Sequence, residues 1–195
     1  MKLCSACLLG LIDMDKNKQE QPNIEIKARC ANHAQIRKIL KSKKAVFKGK
    51  DHQIDTYFKV KFGRLKLREG NIENCLIFYA REDKKGPKQS DYLLFKHDPR
   101  SCLKDMLIKS LGILAIVDKQ REIYFIDNIK FHLDIVKNLG KFVEIEVIDN
   151  RKTSKDKLLK QCEYYLDLFQ ISKKDLISGS YSDLLLKTNT FRISN

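Results

Sequence analysis

Residues 23–30, NIEIKARC, alternate between polar and apolar side chains. A β-strand places successive side chains on opposite faces, so this stretch predicts a strand with one apolar face and one charged face that carries Glu25, Lys27 and Arg29. The same alternation recurs in residues 64–69, RLKLRE, where the face formed by residues 64, 66 and 68 is basic, and in residues 142–147, FVEIEV, where the polar face is acidic. The three predicted strands therefore have one apolar face each, and their polar faces are mixed, basic and acidic in chain order.

Further strands are predicted between these three, at short and regular spacing. They cover residues 56–60, 74–81, 90–96, 111–119, 122–126 and 130–134. About eight strands joined by turn-like segments favour an antiparallel sheet or barrel. Helices are predicted over residues 31–43, from Asp98-Pro99 to Gly112, over residues 153–169, and as a short segment from Ser180, so the class is α+β.

The composition limits the kind of protein. The chain has 195 residues with 39 Lys and Arg against 25 Asp and Glu, a formal charge of +14, which suits one domain over residues 23–195 with an anionic partner. Residues 36–68 alone hold twelve Lys and Arg against two Asp, a net +10. Nucleic acid, acidic lipid and polyphosphate all satisfy this charge.

The first 22 residues differ from the rest of the chain, since a short apolar run over residues 3–12 is followed by a polar stretch. A flexible leader outside the domain is the preferred interpretation, and a signal peptide the alternative, although no A-x-A-like cleavage site follows. No apolar run reaches the roughly 18 residues of a membrane span. Of the six cysteines, Cys30, Cys75, Cys102 and Cys162 are predicted to be buried thiols, which favours a cytoplasmic protein without membrane partners.

The charged strand faces allow two interpretations. They are either solvated faces with cross-strand ion pairs, or the inner faces of a closed barrel. In the second case Lys and Arg would grip phosphate oxygens, and carboxylates at positions i and i+2 would hold a hard cation such as Mg²⁺ or Mn²⁺.

These motifs resemble the CYTH superfamily, the triphosphate tunnel metalloenzymes, and within it the class IV adenylyl cyclase-like and thiamine triphosphatase-like group. The family's first motif, Glu-x-Glu-x-Lys, corresponds to residues 23–27, NIEIK, with Asn23 in place of the first glutamate. The segment GSYSDLL, residues 179–185, also resembles this group. The resemblance extends over about residues 23–186.

The resemblance implies a closed eight-stranded antiparallel β-barrel, the triphosphate tunnel, with flanking helices. It implies that Glu25 and Lys27 are catalytic and that a bound Mg²⁺ or Mn²⁺ is the cofactor. The implied substrate-binding residues are Lys27, Lys66, Arg68, Lys88, Lys119 and Arg121, and the implied metal ligands are Asn23, Glu25, Asp134, Glu144 and Glu146. Because an amide oxygen carries no charge, Asn23 is expected to lower the metal affinity.

The expected function is metal-dependent hydrolysis of a small-molecule triphosphate, namely inorganic tripolyphosphate, a nucleoside triphosphate or thiamine triphosphate. One alternative is a class IV-type adenylyl cyclase that makes cyclic AMP from ATP, for which the sequence shows no identifiable adenine pocket. Another is a non-catalytic module that binds polyphosphate or RNA. Nucleic acid is not the expected partner, because no RNP, KH or zinc-knuckle motif accompanies the basic stretch. A monomer or a homodimer is expected.

Overall fold

Eight antiparallel strands form the body of the protein in a computed structural model. The structure describes residues 23–80, 86–149 and 154–193. Within these ranges it describes all side chains except those of residues 23, 88–91 and 189–193. The leader predicted over residues 1–22 lies outside the described residues. The strands are β1 (Asn23–Arg29), β2 (Val46–Phe58), β3 (Arg64–Gly70), β4 (Cys75–Ala80), β5 (Lys88–Lys96), β6 (Ile113–Ile126), β7 (Ile129–Val136) and β8 (Gly140–Ile148). Their order around the ring is β1-β5-β4-β3-β2-β6-β7-β8. The prediction of an eight-stranded antiparallel sheet within an α+β fold is confirmed.

The ring closes through β1, and it closes unevenly. β1 pairs with β8 along its whole length but with β5 only over residues 23–25. Beyond that point a segment near the C-terminus covers the free edge: the Ile177 N–H donates to the Lys27 carbonyl at 2.9 Å, and Leu176 forms a bridge with Ala28. The barrel is therefore a strongly curled sheet. The backbone pairing between β1 and β5 that closes the ring is limited to one end of β1.

In the described ranges four α-helices accompany the barrel: α1 (His33–Ser42), α2 (Leu103–Leu111), α3 (Lys155–Leu168) and α4 (Tyr181–Ile193). The start predicted for the second helix at Asp98-Pro99 is wrong, because residues 98–101 form a turn in which the Ser101 N–H donates to the Asp98 carbonyl. The start predicted for the last helix is confirmed. Ser180 and Asp183 exchange hydrogen bonds, from the Ser180 N–H to Asp183 Oδ2 at 2.7 Å and from the Asp183 N–H to Ser180 Oγ at 3.3 Å, as in a capping box.

Two predicted strand boundaries are wrong, both in the longest strand pair. Residues 111–119 and 122–126 were expected as separate strands, but residues 113–119 and 122–126 belong to the single strand β6, and β2 begins ten residues earlier than the predicted start at residue 56. The two strands pair from Val46↔Phe125 to Phe58↔Ile113, with an irregularity between Phe47 and Gly49. This irregularity interrupts the alternation on which the prediction depended.

The apolar faces of β1, β7 and β8 point outward and pack under α1 and α3. Ile26, Phe131 and Ile145 are at most 1% exposed, and they share a core with Leu40 of α1 and Cys162 of α3. Because side chains alternate along a strand, burying this outer face turns the charged face of each of these strands into the barrel. The interpretation of these charges as solvated outer faces is therefore wrong. No helix among the described residues is long and apolar enough to cross a membrane.

Candidate functional site

The barrel encloses a cavity of about 620 Å³ to which all eight strands contribute side chains. A cavity of this size lies in the range of roughly 300–1,000 Å³ that is typical of small-molecule sites. The charged residues that line it are Glu25, Lys27, Lys48, Asp55, Lys66, Arg68, Glu73, Lys96, Lys119, Arg121, Lys130, Glu144 and Glu146. Cations outnumber carboxylates in this set, so the cavity favours an anionic ligand.

Asp55 of β2 is the centre of one ion-pair cluster. Its carboxylate accepts from Lys66 at 3.1 Å, from Arg68 at 2.8 and 3.0 Å, and from Lys119 at 2.6 Å. Burial alone would raise the pKa of Asp55, but the surrounding cations hold it well below its ordinary value. Asp55 therefore stays ionised, and its carboxylate keeps three cationic side chains close together.

Glu144 of β8 is the centre of a second cluster. It accepts from Lys27 at 2.6 Å, from Arg121 at 2.8 Å, and lies 3.3 Å from His132 Nδ1. Burial would raise the pKa of Glu144, yet the charges of Lys27 and Arg121 keep it well below the ordinary value. Glu144 is therefore ionised and joins a β1 cation to a β6 cation.

Asp134 of β7 binds the guanidinium of Arg121. Two hydrogen bonds of 2.7 and 2.6 Å join the guanidinium to the Asp134 carboxylate, which also accepts from the Tyr181 hydroxyl at 2.8 Å. Such a bidentate pair fixes the plane of the guanidinium. Asp134 is fully buried and is absent from the residues that line the cavity.

Of the residues named from the sequence whose side chains are described, all except Asp134 line this cavity. Lys27, Lys66, Arg68, Lys119 and Arg121 line it together with Glu25, Glu144 and Glu146. Of the other residues named, Asn23 and Lys88 have described backbones only: both lie at the β1–β5 junction, where Lys88 is the Cα partner of Glu25. Their roles, like those of all these residues, remain predictions.

Asp55 and Glu73 were missed by the sequence reasoning. Glu73 lies between β3 and β4 and accepts from Arg68 and Lys130, both at 2.8 Å. Asp55 could have been found from the alternation of Asp51, Gln53, Asp55 and Tyr57. Glu73 carries no periodic signal, because it belongs to a turn.

The carboxylates determine whether a divalent cation fits the cavity. Glu25 and Glu146 are direct Cα partners on β1 and β8 and both face the cavity. In the described ranges, no three acidic, histidine or cysteine side chains already converge as a metal site. Carboxylate oxygens are the ligands that Mg²⁺ and Mn²⁺ prefer. The residues present therefore fit such an ion. Glu25 and Glu146, which lie side by side on neighbouring strands, would be its ligands.

The charge of Lys119 depends on pH near neutrality. Burial lowers its pKa to about 7, and the charges of Arg68, Arg121 and Lys66 act in the same direction against the attraction of Asp55. The ammonium is therefore present below pH 7 and lost above it. We expect wild-type protein to bind tripolyphosphate about tenfold more tightly than Lys119→Met at pH 6. This advantage should shrink as the pH rises above 7, as measured by calorimetric titration of both proteins. A constant ratio from pH 6 to 9 would contradict the assignment.

The comparisons with known proteins agree with this fold. The sequence profile of the CYTH domain matches residues 21–181, so the chain belongs to the CYTH family. Over 170 residues it is 27% identical to the Methanocaldococcus jannaschii protein named "Putative adenylate cyclase MJ0240", with 83% of this chain and 97% of that protein covered.

Two solved structures have the same fold. The PH1012 protein of Pyrococcus horikoshii superimposes with a TM-score of 0.69 at 25% identity, covering 83% of this chain and 98% of that one. The Hippeastrum protein HpAC1, described as a "putative adenylyl cyclase" with a dominant triphosphatase activity, has a TM-score of 0.53 at 14% identity, covering 81% and 91% of the two chains. At that identity the likeness concerns the fold alone.

Proposed function

We propose that this protein is a divalent-metal-dependent triphosphatase whose substrate binds in the barrel cavity. The observation that carries the proposal is the convergence of five cationic side chains from β1, β3 and β6, namely Lys27, Lys66, Arg68, Lys119 and Arg121, on one cavity that also holds Glu25, Glu144 and Glu146. A linear triphosphate is a compact ligand with enough charge to satisfy so many cations at once. The name of the Methanocaldococcus relative and the activity described for HpAC1 belong to the same chemistry of triphosphates.

The chain's own residues would act mainly by positioning and by charge. Asp55, Glu144 and Asp134 hold the cations in place before substrate arrives, so little reorganisation is needed when a phosphate binds. Arg68 and Arg121 suit paired phosphate oxygens because a guanidinium donates through two parallel N–H groups. During hydrolysis water attacks the terminal phosphorus, the P–O–P bond breaks, and these cations stabilise the charge that accumulates on the leaving diphosphate.

The metal ion would be held by Glu25 and Glu146, with Glu144 beside them and Lys27 as the neighbouring cation. When bound, the ion would neutralise phosphate charge and make a water molecule more acidic. Asn23, at the position of the family's first glutamate, would bring no charge to this set. We therefore propose that metal binding is weaker here than it would be with glutamate at position 23. His132, whose pKa burial lowers to about 3, is neutral at pH 7 and serves to orient Glu144.

The experiment is a panel of tripolyphosphate, ATP and thiamine triphosphate, each with Mg²⁺, with Mn²⁺ or with a chelator. Orthophosphate and cyclic AMP are measured in the same reactions. The proposal predicts metal-dependent release of orthophosphate from at least one substrate with no cyclic AMP. Cyclic AMP with diphosphate would establish the cyclase alternative instead. If the protein bound these triphosphates but turned over none of them, it would be a polyphosphate-binding module.

A further inference from the structure

Among the described side chains, the middle of β4 and β5 forms an uncharged part of the cavity wall. The inner faces of β1, β2, β3, β6, β7 and β8 each present at least one charged side chain to the cavity, and β5 presents Lys96 at its end. Toward their middle, β4 and β5 instead present Ile77, Tyr79, Tyr92 and Leu94, which we call the β4–β5 wall. Within the described residues, no other pair of neighbouring strands lines the cavity with a patch of this kind.

The register makes this wall continuous. Ile77 pairs with Leu94 and Tyr79 pairs with Tyr92, so the four side chains form a two-by-two patch on the inner face. Ile77, Tyr92 and Leu94 are only partly buried although they lie inside the barrel. Their exposed surface faces the cavity, and covering it with an apolar group would be favourable.

The wall lies next to the phosphate-binding and carboxylate groups. Lys66 is the Cα partner of Ile77, and its ammonium lies 5.8 Å from the centre of the Tyr79 ring. Tyr92 and the carboxylate of Glu146 line the same cavity. A ligand whose phosphates occupy the cations would therefore have its remaining part beside this wall.

We propose that the substrate is an organic triphosphate whose flat ring packs against the β4–β5 wall, and that Ile77, Tyr92 and Leu94 determine specificity against inorganic tripolyphosphate. This rests on the proposed triphosphatase function. A ring offers the apolar surface and the stacking face that the wall matches, whereas tripolyphosphate has neither. A substrate made only of phosphate would leave the wall exposed to water.

The test compares kcat/KM for ATP, thiamine triphosphate and tripolyphosphate in wild-type protein, Ile77→Ala and Leu94→Ala. We expect each substitution to lower kcat/KM for the preferred organic substrate by about fivefold to thirtyfold, through KM, and to change that for tripolyphosphate less than about twofold. Leu93→Ala is the matched control, because Leu93 precedes Leu94 on β5 but is 43% exposed on the outer face. Thermal unfolding of each variant verifies that the barrel remains folded.

Two outcomes would overturn the inference. The first is a wild-type protein with a higher kcat/KM for tripolyphosphate than for either organic substrate. The second is an equal loss of kcat/KM for all three substrates in Ile77→Ala and Leu94→Ala. A failure of the proposed function would look different, because no substrate would then be hydrolysed. In that case calorimetric binding of an ATP analogue with a β,γ-imido bridge still tests the wall, since Leu94→Ala should weaken this analogue and leave tripolyphosphate binding unchanged. An equal effect of Leu94→Ala on the two ligands would again count against it.

Discussion

Replacing Lys27 with methionine is expected to lower kcat for triphosphate hydrolysis by about 10²–10³-fold, the loss typical when one preorganised group that stabilises developing charge is removed. Methionine keeps most of the side-chain length, so the packing against Tyr181, whose ring lies 4.9 Å from the Lys27 ammonium, is retained. Glu144 keeps its hydrogen bond to Arg121 at 2.8 Å and thus remains compensated. Steady-state release of orthophosphate measures the effect.

The control for this variant is Lys38→Met, which removes a lysine from the exposed side of α1. It should keep the wild-type kcat and the wild-type midpoint of thermal unfolding. If Lys27→Met retained more than about a tenth of the wild-type kcat, the catalytic assignment of Lys27 would be wrong.

Asp55→Asn is expected to lower the free energy of unfolding by about 3–5 kcal/mol, the usual cost of removing one partner from a buried ion pair. Asp55 is 2% exposed, and its loss would leave Lys66, Arg68 and Lys119 without their shared carboxylate. Urea denaturation measures this loss. Tripolyphosphate should compensate for it, because an anion in the cavity can take the place of the carboxylate.

Tripolyphosphate is therefore expected to raise the unfolding midpoint of Asp55→Asn by more than it raises that of wild-type protein. The matched control is Asp118→Asn, since Asp118 pairs with His52 at 2.8 Å on the solvent side of β6. That substitution should cost less than about 1 kcal/mol. An Asp55→Asn protein as stable as wild type would show that the cluster around Asp55 is not needed to hold the cations.

Much of the fold was predictable from local alternation. Residues 23–30 and 142–147 show the alternation without interruption, and both form strands, β1 and β8, that pair directly with each other. The pattern fails where a strand bears consecutive polar residues. Gln120 and Arg121 were expected to lie between two strands, yet Lys119 and Arg121 both point inward on the continuous strand β6.

The candidate site was predictable only in part. Lys66 and Arg68 stand out because they share one face of a short strand. Asp55, the carboxylate that both contact, lies in the most basic part of the chain, where only its alternation with neighbouring residues marks it. The pairing of Glu25 with Glu146 and of Lys27 with Glu144 depends on the register between β1 and β8, which are more than 110 residues apart. Register between distant strands follows from packing, and one sequence does not determine it.

Calorimetric titration of tripolyphosphate into wild-type protein and Lys66→Met tests the central claim, that the barrel cavity is a triphosphate site, most directly. Lys66 contacts Asp55 at 3.1 Å and lines the cavity, and Lys38→Met again serves as the surface control. The account predicts one tripolyphosphate bound per chain, with an affinity at least about tenfold lower in Lys66→Met and unchanged in Lys38→Met. Absence of binding, several weak equivalents per chain, or equal affinities in all three proteins would contradict it.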